Sequence, residues 1–293
     1  MENEIQKTDI NCPSCGNDKI KFFTRKNQHD IFCCKLCKLI FVWPLLQNTA
    51  NIYSGDYFKG ANNGFGYVNY NQDKLAMLPT FKRYLDKIEE ALPNRGNLLD
   101  VGAATGCFVK MAEDGGWKAE GLEISQYAVD QARKQNSNVR QGILSTADYQ
   151  PESFDLVTLW DVIEHLSDPR STISMIYNIL KRGGAIAINT PDTSSFFAKL
   201  TGKYWHLLVP PEHLICFNPF NLGDLLKRSG FEVLSTHKMG KKFTLQYVSQ
   251  TLYRWQKLFV WKMLAEFFKN NKIGKLSVPV NLRDNFLIIA RKV

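Results

Sequence analysis

Between residues 73 and 91, Leu75, Leu78, Phe81, Leu85 and Ile88 recur at three- and four-residue spacing, which predicts an amphipathic helix. Beyond it the period changes repeatedly. "NLLDVG" from Asn97 is a short apolar strand, and "CFVKMAEDGG" from Cys107 is a helix closed by Gly115 and Gly116. "KAEGLEI" from Lys118 is a strand, followed by the helix "SQYAVDQARKQ" with Ser125 as its N-cap. "NVRQGI", "FDLVTLW" and "AIAINT" are further strands, and "STISMIYNILKRGG" is a helix between the last two. "NPFNLGDLLKRSG" is a helix, "FEVLSTHKM" a strand and "DNFLIIARKV" the last strand. Alternating strand and helix predicts an α/β fold: a doubly wound, mainly parallel seven-stranded sheet with helices on both faces.

Two segments break this rhythm. Residues 45–75 are turn-rich yet aromatic, with Tyr53, Tyr57, Phe58, Phe65, Tyr67 and Tyr70 among Gly and Asn, and they read as a loop folding over something. "FTLQYVSQTLYRWQKLFVWKMLAEFFKN" from Phe243 is helical and crowded with aromatics and Lys/Arg. It reads as an amphipathic helix on a membrane surface through 245–270, as a lid or dimer face, or as a core helix with outward lysines. The expected organisation is an N-terminal module at 1–45, a lid loop and helix at 46–92, and the main domain at 93–293 with a helical insertion at 241–275.

Charge refines the picture. The formal charge of +9 sits in the last stretch: from Lys241 to Val293 there are 11 Lys/Arg against 2 Asp/Glu, and the remainder balances at 26 against 26. Such a tail suits nucleic acid, anionic lipid, a phosphorylated substrate or plain solvent. A hydrophobic content of 44% is ordinary for a globular chain. No apolar run reaches the roughly 18 residues a bilayer span needs. The polar, acidic "MENEIQKTDI" is no secretory signal, so the expected location is cytoplasmic.

Cys12, Cys15, Cys34 and Cys37 form C-x2-C, an 18-residue gap and C-x2-C. That spacing suits four thiolates on one tetrahedral Zn2+, hence a small zinc ribbon. With every position filled by protein, the zinc is structural. Cys33 is a spare neighbour, and Cys107 and Cys216 are small core residues.

The stretch "NLLDVGAATGCF" runs a strand into Asp100 and then into Gly102, Ala103, Ala104 and Gly106. Ligands on such sheets bind at the carboxyl ends of the strands, and small residues let backbone approach them. Glu123 ends the second strand, 23 residues after Asp100, where an acid accepts the hydroxyls of a ribose. Together these point to an adenosine-type cofactor.

"LLDVGAATGCF", "GWKAEGLEIS", "SFDLVTLWDVIEHL" and "LKRGGAIAINTP" resemble the successive motifs of class I S-adenosylmethionine-dependent methyltransferases, whose fold is Rossmann-like. The resemblance covers residues 75–240 and the last strand, with alanine at 103 or 104 where the family carries a second glycine. It implies that Asp100 meets the methionine amino group and that Gly102, Ala103, Ala104 and Gly106 line the methionine moiety. It likewise implies Glu123 on the ribose, Ile124 packing on adenine, Ile143 and Leu144 flanking adenine, and Trp160 and Asp161 bordering the methyl group.

In "WDVIEHL", Asp161, Glu164 and His165 stand at i, i+3 and i+4, which would share one face of a helical turn. His213 follows in "PPEHLICF". The set resembles one in ubiquinone-pathway O-methyltransferases and small-RNA 2'-O-methyltransferases, which implies that Asp161, Glu164, His165 and His213 hold Mg2+ or a similar ion. Those families carry Glu where this chain has the shorter Asp161. Without a metal, His165 or His213 would serve as general base; otherwise Glu164 and His165 are structural. His206, with Tyr204 and Trp205 beside it, is a further pocket candidate. Zinc-ribbon methyltransferases of this kind, which act on sugars, lipid-linked or secondary-metabolite substrates, carry the ribbon over the acceptor side.

The leading expectation is a methyltransferase acting on a small-molecule acceptor, O-directed, with S-adenosylhomocysteine as coproduct. The alternatives are an RNA methyltransferase gripping phosphates with ribbon and tail, or an interaction module on a degenerate cofactor fold. Residues 1–45 offer no base-stacking surface, so nucleic acid is not the expected partner. The sequence leaves the oligomeric state open.

Overall fold

The computed structural model describes residues 10–46, 70–92, 94–144 and 149–293, without the side chains of residues 70–75. The aromatic loop read from 45–75 therefore lies outside the described residues, apart from its two ends.

In chain order, the first hairpin is β1 (Ile20–Lys26) and β2 (His29–Cys34), followed by β3 (Ile40–Trp43). Then come α1 (Tyr70–Ala91), β4 (Asn97–Val101), α2 (Cys107–Asp114), β5 (Lys118–Glu123), α3 (Gln126–Lys134) and β6 (Val139–Gln141). The second half continues with β7 (Phe154–Trp160), α4 (Pro169–Ile179), β8 (Leu180–Pro191), α5 (Phe196–Thr201), β9 (Ile215–Cys216), α6 (Pro219–Arg228) and β10 (Phe231–Lys238). Last are β11 (Lys241–Thr244), α7 (Leu245–Gln256), α8 (Phe259–Lys269), β12 (Ser277–Val280) and β13 (Asn285–Lys292).

The seven-stranded sheet has the order β10-β13-β8-β7-β4-β5-β6. β8, β7, β4, β5 and β6 run parallel, and β13 enters antiparallel to both β8 and β10. Side chains alternate between two apolar layers. Leu99, Val101, Phe286 and Ile288 join α4 and α6 on one face, while Leu98, Leu287 and Ile289 join α1, α2 and α3 on the other. Strands covered on both faces read as continuous apolar runs, which is why they were legible in the sequence.

Two predicted helices change. The segment from Ser171 is helical only to Ile179, and Leu180 already pairs with Phe154 at the start of β8. The backbone turns past Gly183 at φ 78°, open to glycine without strain. The predicted single insertion helix is instead the strand β11, paired with β12, and then α7 and α8 separated at Lys257, whose φ is 58°. Nor is α8 a core helix: Ala265 is its buried residue, whereas Phe259 and Met263 are 71% and 56% exposed.

The N-terminal module is built into the main domain. β3 pairs with β9, so strands β1-β2-β3-β9 form one sheet. Val42 N–H donates to the Leu214 carbonyl at 2.8 Å, and Arg170 Nε to that of Ser14 at 2.9 Å. Ile31, Phe41 and Val42 share the apolar layer of Ile173 and Phe217. Among the described residues, no helix is long and apolar enough to cross a membrane.

Candidate functional site

The loop after β4 is shaped by backbone that side chains would obstruct. Gly102 and Gly106 adopt φ of 75° and 77°. A Cβ on Gly102 would stand 2.5 Å from Val162 Cγ2, and one on Gly106 2.3 Å from Ser137 Oγ. Ala104 also has positive φ, at 50°, a conformation costing a residue with Cβ about 1–2 kcal/mol. Glu123 holds it there. Its Oε2 accepts from Ala104 N–H and its Oε1 from Ser125 N–H, both at 2.9 Å. Gly102 and Ala103 N–H both point at the Leu122 carbonyl, at 2.8 and 3.1 Å. Asp100, almost fully buried, accepts from Thr158 Oγ1 at 2.6 Å.

Asp100, Gly102, Ala103, Ala104 and Glu123 line a cleft of about 1010 Å3 together with Ile124, Ile143, Leu144 and Trp160. Gly106, expected there from the sequence, is not in that lining and instead packs on Ser137 as the N-cap of α2. Ile143 is 66% exposed, so it is a rim residue rather than core. Trp160 is buried between Tyr84 and Phe108, with ring centroids 4.9 Å away on each side. Its Nε1 has no hydrogen-bond partner among the described residues.

The same cleft reaches Glu164, His165 and His213. Their candidate ligand atoms all lie within 4.8 Å of one another. Asp161 is not in that set, contrary to the i, i+3, i+4 expectation. Its φ of 56° turns the chain before the short 3-10 turn Ile163–His165, so no α-helical face joins it to Glu164. Its carboxylate instead binds Lys241 Nζ at 2.6 and 2.7 Å.

Both histidines are oriented by backbone carbonyls. His165 Nδ1 lies 2.6 Å from the Glu212 carbonyl and His213 Nδ1 2.6 Å from that of Leu207. Carbonyls only accept, so each Nδ1 carries a proton. Burial depresses His213 to about 3, with nearby His165 adding to the effect, and it is therefore neutral at pH 7. Burial lifts the Glu164 carboxyl to about 7, with Asp161 adding to the rise while His165 and Lys241 oppose it. Glu164 Oε2 accepts from Thr190 Oγ1 at 2.9 Å, and Oε1 is buried with no partner among the described residues.

Glu164 has a stability signature. Its folded value lies above the ordinary one, so its contribution is full below about 4.5 and is lost as pH rises through about 7. In metal-free protein, Glu164→Gln should therefore gain thermal stability relative to the native chain between pH 5 and 8, by roughly 5 °C. Melting curves across that range check it, and a pH-independent difference would contradict it.

Other walls come from distant segments. His206 lies among Phe197 and Trp255, with ring centroids 5.6 and 5.8 Å from its own, and its Nε2 is 3.7 Å from Asp284 Oδ2. Of its sequence neighbours, Tyr204 is exposed and Trp205 buried, and neither lines the cleft. Lys26 and Asn27, at the tip of the β1–β2 hairpin, do line it; they donate to the carbonyls of Trp205 and Pro210 at 3.3 and 2.7 Å. Lys26, Asn27 and Lys241 carried no local sequence signal, because their roles arise from segments about 80 to 180 residues away.

Cys12, Cys15, Cys34 and Cys37 converge, with Cys12–Cys37 and Cys15–Cys34 sulfurs each 3.6 Å apart. Four thiolates about 2.3 Å from a tetrahedral ion stand about 3.8 Å from one another, so the cluster has the right size. Cys33 is outside it; Cys216 is buried, while Cys107 is half-buried and lines the cleft rather than the core.

A family described as a methyltransferase domain matches residues 74–236, more than half of the chain. The chain belongs to that family and is an S-adenosylmethionine-dependent methyltransferase. Among similar proteins, the ubiquinone biosynthesis O-methyltransferase of Neisseria meningitidis serogroup C is 27% identical over 189 residues, covering 57% of this chain and 75% of the relative. That of Thiobacillus denitrificans is 25% identical over 148 residues, covering 46% of this chain and 64% of the relative. In fold, the chain is similar to a SAM-dependent methyltransferase from Archaeoglobus fulgidus, with a TM-score of 0.50, 20% identity, and coverage of 73% and 93%.

Proposed function

We propose that the chain transfers the methyl group of S-adenosylmethionine to a hydroxyl oxygen of a small acceptor, in the sugar, lipid-linked or secondary-metabolite classes. The observation that carries this is the convergence of Glu164, His165 and His213 on the cleft that Asp100 and Glu123 also line. The named activity of the N. meningitidis and T. denitrificans relatives supports an oxygen acceptor.

Asp100 receives the methionine ammonium, and Gly102, Ala103 and Ala104 lie along the methionine, with Gly106 turning the chain into α2. Glu123 keeps its loop bonds and offers its remaining lone pairs to the ribose hydroxyls. Ile124, Ile143 and Leu144 enclose adenine, and Trp160 backs the sulfonium end. The acceptor oxygen attacks the methyl carbon in line, the carbon–sulfur bond breaks, S-adenosylhomocysteine departs, and the hydroxyl proton is taken up in the acidic cluster. Glu164, raised to about 7, is better matched to accept it than His213 at about 3.

Glu164 Oε1 with the Nε2 atoms of His165 and His213 also forms a donor set for one divalent ion. Two imidazoles and one carboxylate suit Mn2+, Fe2+ or Zn2+ better than the Mg2+ expected from the sequence. When bound, such an ion would lower the pKa of an acceptor hydroxyl and orient it. The backbone bonds to both Nδ1 atoms would hold the rings for it.

Calorimetric titration tests both parts. S-adenosylhomocysteine is expected to bind with micromolar affinity, and failure would overturn the function. Mn2+ should bind the EDTA-treated protein at least tenfold more tightly than Glu164→Gln, the loss usual for damaged metal sites. Equal affinities would leave Glu164 as a metal-free base.

The ribbon thiols fit one structural Zn2+. Because β3 pairs with β9, two residues past His213, losing the ion should loosen the cleft as well as the ribbon. Cys34→Ser should lose zinc by atomic emission and melt at lower temperature. Unchanged zinc content would contradict the assignment.

A further inference from the structure

The hairpin of α7 and α8 presents an apolar surface to solvent. Leu258, Phe259, Val260, Met263 and Phe267 are each at least 52% exposed, and Leu276 beyond them is 59% exposed. Phe259, Met263 and Phe267 recur every fourth residue, so they form one stripe along α8. Lysines at 257, 262, 269, 272 and 275 flank the stripe. They belong to the segment that carries 11 Lys/Arg against 2 Asp/Glu.

We propose that this face docks on an anionic lipid bilayer, with α8 lying in the interfacial plane. Three observations favour a bilayer. First, the aromatic and aliphatic stripe matches the acyl boundary, and the flanking lysines match anionic headgroups. Second, a second copy would bring two lysine-flanked faces together, where like charges repel. Third, a nucleic acid would meet the lysines but leave the outward aliphatic residues against water. The length of α8, 11 residues, suits lying in the interface and is too short to span.

Docking has a consequence for access. α7 packs against α8 and contributes Val248, Leu252 and Trp255 to the wall or mouth of the cleft, joined by Lys257 just past its end. A protein seated on α8 holds that mouth at headgroup level, where an acceptor with an acyl or prenyl chain can present its polar end without leaving the membrane. This access route rests on the methyl-transfer reading of the cleft; the docking does not.

Flotation with vesicles tests it. The full chain should float with phosphatidylcholine vesicles containing one-third phosphatidylglycerol, and bind pure phosphatidylcholine at least tenfold more weakly. Salt at 0.5 M should weaken the anionic binding, because screening shortens the reach of the lysines to about 4–5 Å. The double variant Phe259→Ser, Phe267→Ser should lose binding at least tenfold yet keep native S-adenosylhomocysteine affinity, since both positions lie outside the cleft. Phe196→Ser on α5, also exposed, should bind as the native chain does. No flotation, equal flotation of the double variant, loss confined to Phe196→Ser, or a light-scattering dimer dissolved by the double variant would each overturn the proposal. Loss of S-adenosylhomocysteine binding with intact flotation would instead refute the function of the cleft.

Discussion

Glu123→Ala should lower S-adenosylhomocysteine affinity at least ~100-fold, since on the proposed reading the carboxylate serves both the loop and the ligand. Hydrogen bonds to charged groups are worth about 1.5–3 kcal/mol each. Here two of them keep Ala104 in its left-handed conformation and close the start of α3. Their loss also releases the backbone that must lie against the methionine. Glu123→Gln should fall between the two, because one of its terminal groups donates and cannot accept from Ala104 or Ser125. Calorimetry on the three proteins checks the order, and a native affinity in the alanine variant would refute the assignment of Glu123.

His213→Ala is expected to lower methyl transfer by about 10^2 to 10^4, the range of a lost acid–base or metal-orienting group. S-adenosylhomocysteine affinity should stay within a few-fold of native, because the proposed reading puts His213 against the acceptor and not the cofactor. The check is release of S-adenosylhomocysteine with an accepted compound from a panel of phenolic, sugar and lipid-linked alcohols. The buried ring also contributes packing, so His213→Asn, which keeps a polar group near Leu207, separates stability from chemistry. Turnover at the native rate in both variants would remove His213 from the reaction.

Positions legible in the sequence share one physical property: their meaning is local. The sheet strands could be read because β4, β7, β8 and β13 are buried on both faces and must be continuously apolar. The turn glycines at 102 and 106 could be read because few other residues fit their dihedrals and space. The C-x2-C pairs could be read because each holds half a cluster within one turn. Glu164, His165 and His213 could be named one by one, but not as a group of three. The backbone at Asp161 reverses, and an i, i+3, i+4 spacing has its helical meaning only where a helix exists.

What the sequence alone determined, then, is the order of the seven sheet strands with the helices that cover them, the family, and the glycine turn after β4, each specified by periodicity or by backbone demands within a few residues. The tertiary structure alone decided that Lys241 pairs with Asp161, and that the hairpin tip at Lys26 and Asn27 walls the cleft. It decided too that β3 joins the strand beside His213 and that α8 turns its apolar stripe outward. These are contacts between segments tens to hundreds of residues apart. Their energy depends on which surfaces the chain brings together, and no local pattern encodes that.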